Sequence, residues 1–155
     1  MERGIVGFEL DADGDWVAVL VCGHRQHVRH RPPFQVRPWV LDEAGRAAHL
    51  GTSLGCPLCD AGEMPAGLRF AWRTPEWDVR SLPADLRRAH RLASGTWGLL
   101  VMRRGRVVFR AATSPPIERV LGPGADQAIP PGVEHELDPA DDARFVIEFY
   151  DVVPD

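Results

Sequence analysis

The three cysteines of this chain all lie in two short stretches, Cys22-Gly23-His24 and Cys56-Pro57-Leu58-Cys59. Zinc in structural sites takes four tetrahedral nitrogen and sulfur ligands, usually supplied as two close pairs. Cys22 and His24 form one such pair, and the C-P-x-C stretch forms the other. Its proline favours a turn that directs both thiolates to one point. The pattern therefore predicts a structural zinc site (Cys22, His24, Cys56, Cys59) in the first third of the chain.

The fourth ligand of this site is an open choice at the level of sequence. His24 is favoured, and His27 is its main rival because C-x4-H spacing also closes zinc sites. His30 ranks lower, and His49 ranks lowest because it falls in a predicted helix. A module of about 60 residues has a small core, so a metal that joins its ligand pairs fits its size.

Composition places the chain among soluble globular proteins, with 155 residues, 45% of them hydrophobic and 26% charged. This length predicts one domain or two small ones. The sequence contains no apolar run of the ~18 residues typical of a membrane span, and its first residues lack the basic start and apolar core expected of a signal peptide. Thiols clustered with histidines suit metal binding in a reducing compartment. We therefore expect a cytoplasmic protein with no membrane partner.

The net charge of −4 argues against general nucleic-acid binding. Residues 22–41 are a local exception, because they hold four arginines and no acid: Arg25, Arg29, Arg31 and Arg37. With Phe34 and Trp39 between them, these arginines suggest contacts to an anion or to a nucleic-acid backbone with stacked bases. The favoured interpretation is a solvated loop whose tryptophan caps the zinc module.

Local patterns predict a mainly β protein. Two apolar segments, Ile5–Leu10 and Trp16–Cys22, flank an Asp-Gly turn and predict a β-hairpin. A short helix is predicted over Asp42–Leu50, with Asp42 as N-cap and Gly51 at its end. Residues 61–67 have the composition of a linker.

Beyond the linker, short apolar segments separated by Gly/Pro turns predict an all-β barrel or sandwich. The predicted strands are Leu68–Trp72, Gly98–Arg103, Arg106–Ala111, Ile117–Leu121, Gln127–Ile129 and Arg144–Tyr150. A helix is predicted only over Ala84–His90.

A second group of candidate ligands lies in this cysteine-free part. Residues 124–135 fit G-x5-P-x-G-x2-H, in which the Pro130-Pro131-Gly132 turn precedes His135. An imidazole placed after such a turn can ligate a metal inside a barrel. Upstream, His90 is the available histidine, and Gly105 closes a strand pair.

Glu148 lies in an otherwise apolar strand, where a carboxylate is costly to bury unless it is paired or metal-bound. We expect it either to complete a metal site with the two histidines or to pair with an arginine such as Arg110 or Arg144.

These residues resemble two known families. The stretch from Gly14 to Phe34, with Arg37-Pro38-Trp39-Val40 and the C-P-x-C pair, is similar to a small bacterial zinc-ribbon-like family of unknown function, over about residues 4–60. Residues 124–135 fit the second motif of the cupin superfamily. Together with other positions, they resemble the TehB/YeaR-like family of tellurite-resistance cupins over about residues 70–151. The matching positions are Leu82-Pro83, His90, Gly95–Gly98, Gly105, Ile129-Pro130, His135 and Glu148–Tyr150.

The cupin resemblance implies a double-stranded β-helix, that is, a jelly-roll-like barrel. It implies a divalent metal (Zn, Fe, Mn or Ni) held by His90, His135 and Glu148. It also implies a small-molecule or oxyanion ligand and a role in tellurite, oxidative or nitrosative stress. Cupins commonly dimerise, so a homodimer through this half is a further implication.

The sequence thus predicts a zinc-ribbon-like domain over residues 1–60, a linker over 61–67 and a single-domain cupin over 68–155. Two functions follow: a metal-binding stress-response protein, or a cupin metalloenzyme such as an oxygenase or a small-anion detoxifying enzyme. Nucleic-acid or partner binding through the N-terminal module is a weaker third.

Overall fold

A computed structural model describes residues 1–153 of the chain. The N-terminal part contains four strands and two short helices: β1 (Glu2–Leu10), β2 (Trp16–Leu20), β3 (Arg25–His27), α1 (Glu43–Ala48), β4 (Ser53–Gly55) and α2 (Pro57–Asp60). The rest contains seven strands: β5 (Arg69–Arg73), β6 (Thr96–Arg104), β7 (Val107–Ala111), β8 (Ile117–Leu121), β9 (Asp126–Ile129), β10 (His135–Pro139) and β11 (Arg144–Asp151). Single 3-10 turns lie at Pro38–Val40 and Ala84–Leu86. The prediction of a mainly β protein is confirmed.

The predicted N-terminal hairpin is present. Strands β1 and β2 pair antiparallel, with Leu10 opposite Trp16. The Asp11 carboxylate accepts hydrogen bonds from the backbone N–H groups of Asp13 and Asp15, and the backbone N–H of Asp15 is the main reason that the pKa of Asp11 is lowered. Short β3 and β4 extend the hairpin into a sheet of order β3-β2-β1-β4.

Helix α1 also matches its prediction. The Asp42 side chain accepts a hydrogen bond from the N–H of Gly45 at 2.6 Å, as an N-cap aspartate does. Gly51 follows with a φ of +81°, which a glycine adopts without strain.

The C-terminal part consists of two antiparallel sheets, of order β5-β11-β6-β9 and β10-β7-β8. Their inner faces enclose a core of buried apolar side chains that includes Leu100, Met102, Phe109, Leu121, Phe145 and Ile147. The predicted strands are confirmed, each within about two residues of its bounds. Strand β10 was not predicted, because its outward-facing Glu136 and Asp138 and its terminal proline mask the alternation with buried His135 and Leu137.

The predicted helix over Ala84–His90 is wrong. Only one 3-10 turn forms, and Ala89 adopts a φ of +47° that ends any helical run. His90 then pairs with His135 as a β-bridge, with N–H to O distances of 3.0 and 2.9 Å. A helix of seven residues gains little by itself, so long-range pairing prevails.

The two parts of the chain are in direct contact. The side chain of Trp97, in β6, is fully buried in the apolar cluster of the N-terminal part. The predicted linker packs as well: a Cβ on Gly62 would lie 3.1 Å from Ile117, and Pro65 lies against Gly23. No helix in the described part of the chain is long and apolar enough to span a membrane.

Candidate metal centre

Cys22 and His24 face the same point because the chain turns tightly after β2. Gly23 has a φ of +87°, a conformation that suits glycine. Its N–H donates to the carbonyl of Leu20, whose own N–H donates to the carbonyl of His24. The predicted second strand therefore ends at Leu20, and both side chains project from the turn that follows it.

Cys56 and Cys59 are brought together by α2. Cys56 is the N-cap of this single helical turn, and Pro57 occupies its first position, where a missing N–H costs nothing. Three residues along a helix return to nearly the same face, so the thiol of Cys59 lies beside that of Cys56. The N–H of Cys56 donates to the carbonyl of Met1, the residue before β1.

The four side chains converge at distances that fit one tetrahedral metal. His24 Nδ1 lies 3.3 Å from Cys56 Sγ, 3.5 Å from Cys22 Sγ and 3.6 Å from Cys59 Sγ. The sulfurs of Cys22 and Cys56 are 3.9 Å apart. Tetrahedral zinc with ordinary bond lengths requires separations of about 3.6 Å between nitrogen and sulfur and about 3.8 Å between sulfurs.

The centre is closed to solvent. The three cysteines are 0% exposed and His24 is 4% exposed. All four ligand atoms lie within 4.8 Å of one another. Among the histidine, cysteine and carboxylate side chains of the described residues, this group is clustered closely enough to form a possible metal site. The sulfur separation is far beyond the roughly 2.05 Å of a disulfide bond, so the thiols are free.

The pKa values of the three thiols are shifted in different directions. A hydrogen bond from Cys59 lowers the pKa of Cys22, and the same bond, with burial, raises the pKa of Cys59 to about 12. Burial is the largest cause that raises the pKa of Cys56. A divalent cation would displace the remaining protons and bind all three sulfurs as thiolates.

The other histidines of the N-terminal part do not reach this centre. His27 Nε2 lies 2.7 Å from the Asp11 carboxylate. The ring of His30 accepts from the N–H of Arg37, and His49 stacks on Trp39 with ring centroids 3.8 Å apart. The geometry therefore brings His24, and not its rival His27, to the cysteines.

Three arginines of the 22–41 stretch form ion pairs with carboxylates. Arg25 pairs with Glu9 at 2.6 Å, while Arg29 and Arg31 share Asp15 at 2.5 and 3.1 Å. Glu9 lies in β1 and Asp15 lies in the turn after it. Both precede residues 22–41, the stretch that contains no acidic residue. For Arg37, the polar contact described is that of its backbone N–H with His30. Three of the four arginines are thus paired with carboxylates, and anion binding by this stretch stays a prediction.

The expectation for Trp39 holds in outline. It packs edge-on against Phe8 with ring centroids 5.9 Å apart and lies against the apolar cluster that contains the metal ligands. Phe34, by contrast, is 94% exposed.

His90 and His135 lie side by side at one end of the C-terminal core. Their rings are 5.3 Å apart and nearly perpendicular. His135 is buried, and its Nδ1–H donates to the carbonyl of Val133 at 3.0 Å, which leaves Nε2 as the free nitrogen. Burial is the main cause that lowers the pKa of His135. A cleft of about 160 Å³ lies beside this ring, next to Ala89 and Glu134.

Glu148 does not join the two histidines. Its carboxylate accepts hydrogen bonds from Arg73 and from the Tyr150 hydroxyl, each at 2.6 Å. The Tyr150 hydroxyl is the largest cause that lowers the pKa of Glu148. Alternation along β11 turns Glu148 away from the core that Ile147 and Phe149 enter. The arginine pairing expected for this residue forms with Arg73, rather than with Arg110 or Arg144.

The sequence did not reveal two residues that join the N-terminal part to the C-terminal part. Trp97 donates its indole N–H to the carbonyl of Cys22 at 2.8 Å, and its ring packs edge-on against His24. Arg3 reaches from β1 to the carbonyl of Pro131. Nothing in a single sequence links positions so far apart.

Two family models match separate parts of the chain. Residues 6–63 match a family described as a protein of unknown function (DUF3565). Residues 72–147 match the TehB-like domain. The first match includes all four residues of the metal centre, and the second includes His90 and His135.

Two solved structures are similar to part of this chain. One is the crystal structure of a structural-genomics target protein from E. coli (strain K12), whose sequence is 23% identical to this one. The two structures superpose with a TM-score of 0.53 over 60% of this chain and 98% of the E. coli chain. TehB from Haemophilus influenzae is 25% identical, with a TM-score of 0.50, and covers 54% of this chain. The match spans 31% of the TehB chain. No curated protein matches this sequence.

Proposed function

We propose that the protein is a zinc protein in which a structural Cys3His centre holds the N-terminal part together, and that this part is joined to a TehB-like half of cupin type. The observation that carries the proposal is the buried convergence of Cys22, His24, Cys56 and Cys59 at tetrahedral separations. Sulfur-rich tetrahedral sites favour zinc among divalent metals. Four protein ligands leave no open position for a substrate, which is the mark of a structural site.

Metal analysis of purified protein tests this proposal. We expect about one zinc per chain in the wild type, and its loss in Cys56→Ala and His24→Ala. Zinc affinity should fall more than roughly 100-fold in both variants, because even residues outside the ligand shell account for 10- to 100-fold. His27→Ala is the matched control and should keep its zinc. The proposal is contradicted if the wild-type protein contains no metal. It is also contradicted if both ligand variants retain zinc.

For the TehB-like half we infer a role in the response to tellurite or related oxyanion stress, through a small polar ligand bound beside His135. The match to the TehB-like domain supports this role. So does the combination of a free imidazole nitrogen, a neighbouring cleft and a positive φ at Ala89, since backbone strain is concentrated at functional sites.

Complementation of a deletion strain tests the stress role. We expect the deletion to increase sensitivity to tellurite, and the wild-type gene to restore growth. His135→Ala should fail to restore it, while Glu148→Gln should succeed because Glu148 lies apart from the histidines. Unchanged growth of the deletion strain in tellurite, peroxide and nitric-oxide stress would rule the role out.

A further inference from the structure

Arg3 is a partly buried cation without an acidic partner among the described residues. It lies in β1 opposite Leu54, the middle residue of β4, which leads directly to Cys56. Its Nη2 donates to the carbonyl of Pro131 at 2.6 Å. Its Nε is buried and has no hydrogen-bond partner in the described chain. An arginine held in this way needs a source of negative charge nearby.

The metal centre provides that charge. Zn²⁺ bound by three thiolates and a neutral imidazole carries a net charge of −1, and a buried net charge is costly unless it is compensated. Arg3 lies on the same face of β1 as Ile5, which is buried in the apolar cluster that contains the three cysteines. The chain next to Arg3 also contacts the centre, because the N–H of Cys56 donates to the carbonyl of Met1.

We propose that Arg3 is the counter-cation of the zinc–thiolate centre and that it fastens this centre to the Pro130-Pro131-Gly132 turn of the TehB-like half. The inference rests on the zinc site proposed above. The same turn is held from its other side, where the N–H of Gly132 donates to the carbonyl of Leu92. His135 follows three residues later, so Arg3 connects the metal centre to the chain that carries the histidine pair.

Two substitutions separate charge from hydrogen bonding. Arg3→Lys keeps the charge, and Arg3→Gln keeps a donor for the Pro131 carbonyl but removes the charge. Arg25→Gln is the matched control, because Arg25 adjoins His24 in sequence but directs its charge to Glu9. Each full-length protein is titrated with zinc against a chromophoric chelator, and cobalt(II) spectra report whether thiolate coordination is retained.

We expect Arg3→Gln to weaken zinc binding roughly 10- to 100-fold, the range typical of residues that support metal ligands. Arg3→Lys should stay within about threefold of the wild type, since the charge is retained, and so should Arg25→Gln. The inference is overturned if Arg3→Gln binds zinc as the wild type does, or if Arg3→Lys loses as much as Arg3→Gln.

Other outcomes are equally decisive. If Arg3→Gln does not fold, the comparison of Arg3→Lys with the wild type still decides: an affinity loss of tenfold or more overturns the inference. A wild type that binds no zinc overturns both the proposed site and the role of Arg3. A zinc-loaded wild type with an unaffected Arg3→Gln overturns the role of Arg3 alone.

Discussion

Two buried histidines of this protein direct their ring nitrogens to different kinds of partner. His24 and His135 are each 4% exposed. His24 directs Nδ1 at three sulfurs, and its Nε2 has no hydrogen-bond partner among the described residues. His135 donates Nδ1–H to the carbonyl of Val133 and keeps Nε2 free. The first arrangement suits a metal ligand, and the second suits a neutral imidazole beside a cleft.

The neutral state of His135 predicts a pH effect on stability. Burial, the largest cause, lowers its pKa in the folded state below the ordinary value of 6.5. As pH falls below 6.5, the unfolded chain gains a proton that the folded protein does not. The free energy of unfolding should therefore fall by at most about 1.4 kcal/mol per pH unit until the folded-state pKa is reached.

Urea unfolding between about pH 5 and 8 measures this effect, since the ordinary histidine pKa lies in that window. His135→Asn can still donate to the Val133 carbonyl, and it should show a shallower slope below pH 6.5. Zinc-ligand protonation affects both proteins alike, so the difference in slope belongs to His135. Identical slopes would show that His135 titrates normally.

At the scale of elements, strand β6 connects two apolar clusters, because side chains from its two faces pack into different ones. Successive side chains of a strand point to opposite faces. Leu100 and Met102 enter the core between the C-terminal sheets, while Trp97 enters the apolar cluster around the metal ligands. Gly98 lies on the inner face, where a Cβ would meet Ile129 at 3.2 Å. One strand thus connects the metal centre to the C-terminal core.

Trp97→Phe tests this connection. The substitution leaves the buried carbonyl of Cys22 without its indole donor, which should lower the free energy of unfolding by about 1–3 kcal/mol. Zinc affinity should fall with it, because that carbonyl belongs to a ligand residue. Chemical denaturation of the zinc-loaded protein gives the first value and chelator competition the second.

Trp72→Phe is the control for this change. Trp72 is 53% exposed and stacks on Phe149, and phenylalanine can keep that stacking. Its loss of stability should be small. Equal losses in the two variants would mean that the hydrogen bond to Cys22 contributes nothing.

At the scale of the whole molecule, the two parts of the chain that match separate family models are in contact with each other. The side chains of Trp97 and Arg3 each cross from one part to the other, and Val152 lies against Gly23. Asp60 Oδ1 accepts from the N–H of Ser114, which adds a contact from the end of α2. Residues 61–67 had the composition of a linker, yet they pack against both parts. The composition of a segment indicates how flexible it would be in isolation. Whether the segment packs depends on the residues that surround it in the fold.

Much of the fold could be predicted because strands and caps are local. The hairpin, the Asp42 cap and the C-terminal strands depend on alternation and turn chemistry within about ten residues. The failures involve residues whose structure depends on distant partners. His90 leaves the predicted helix to pair with His135, and the alternation in β10 is hidden by outward-facing acids.

The sequence by itself determined the donor set of the metal centre, because zinc chemistry requires close pairs of cysteine and histidine and close pairs can be seen along the chain. Only the tertiary structure decided between His24 and His27, paired the arginines with acids of another strand, and turned Glu148 to Arg73. The physical reason is distance. Coordination and ion pairing act over a few ångströms in space, and folding alone decides which residues come within that reach.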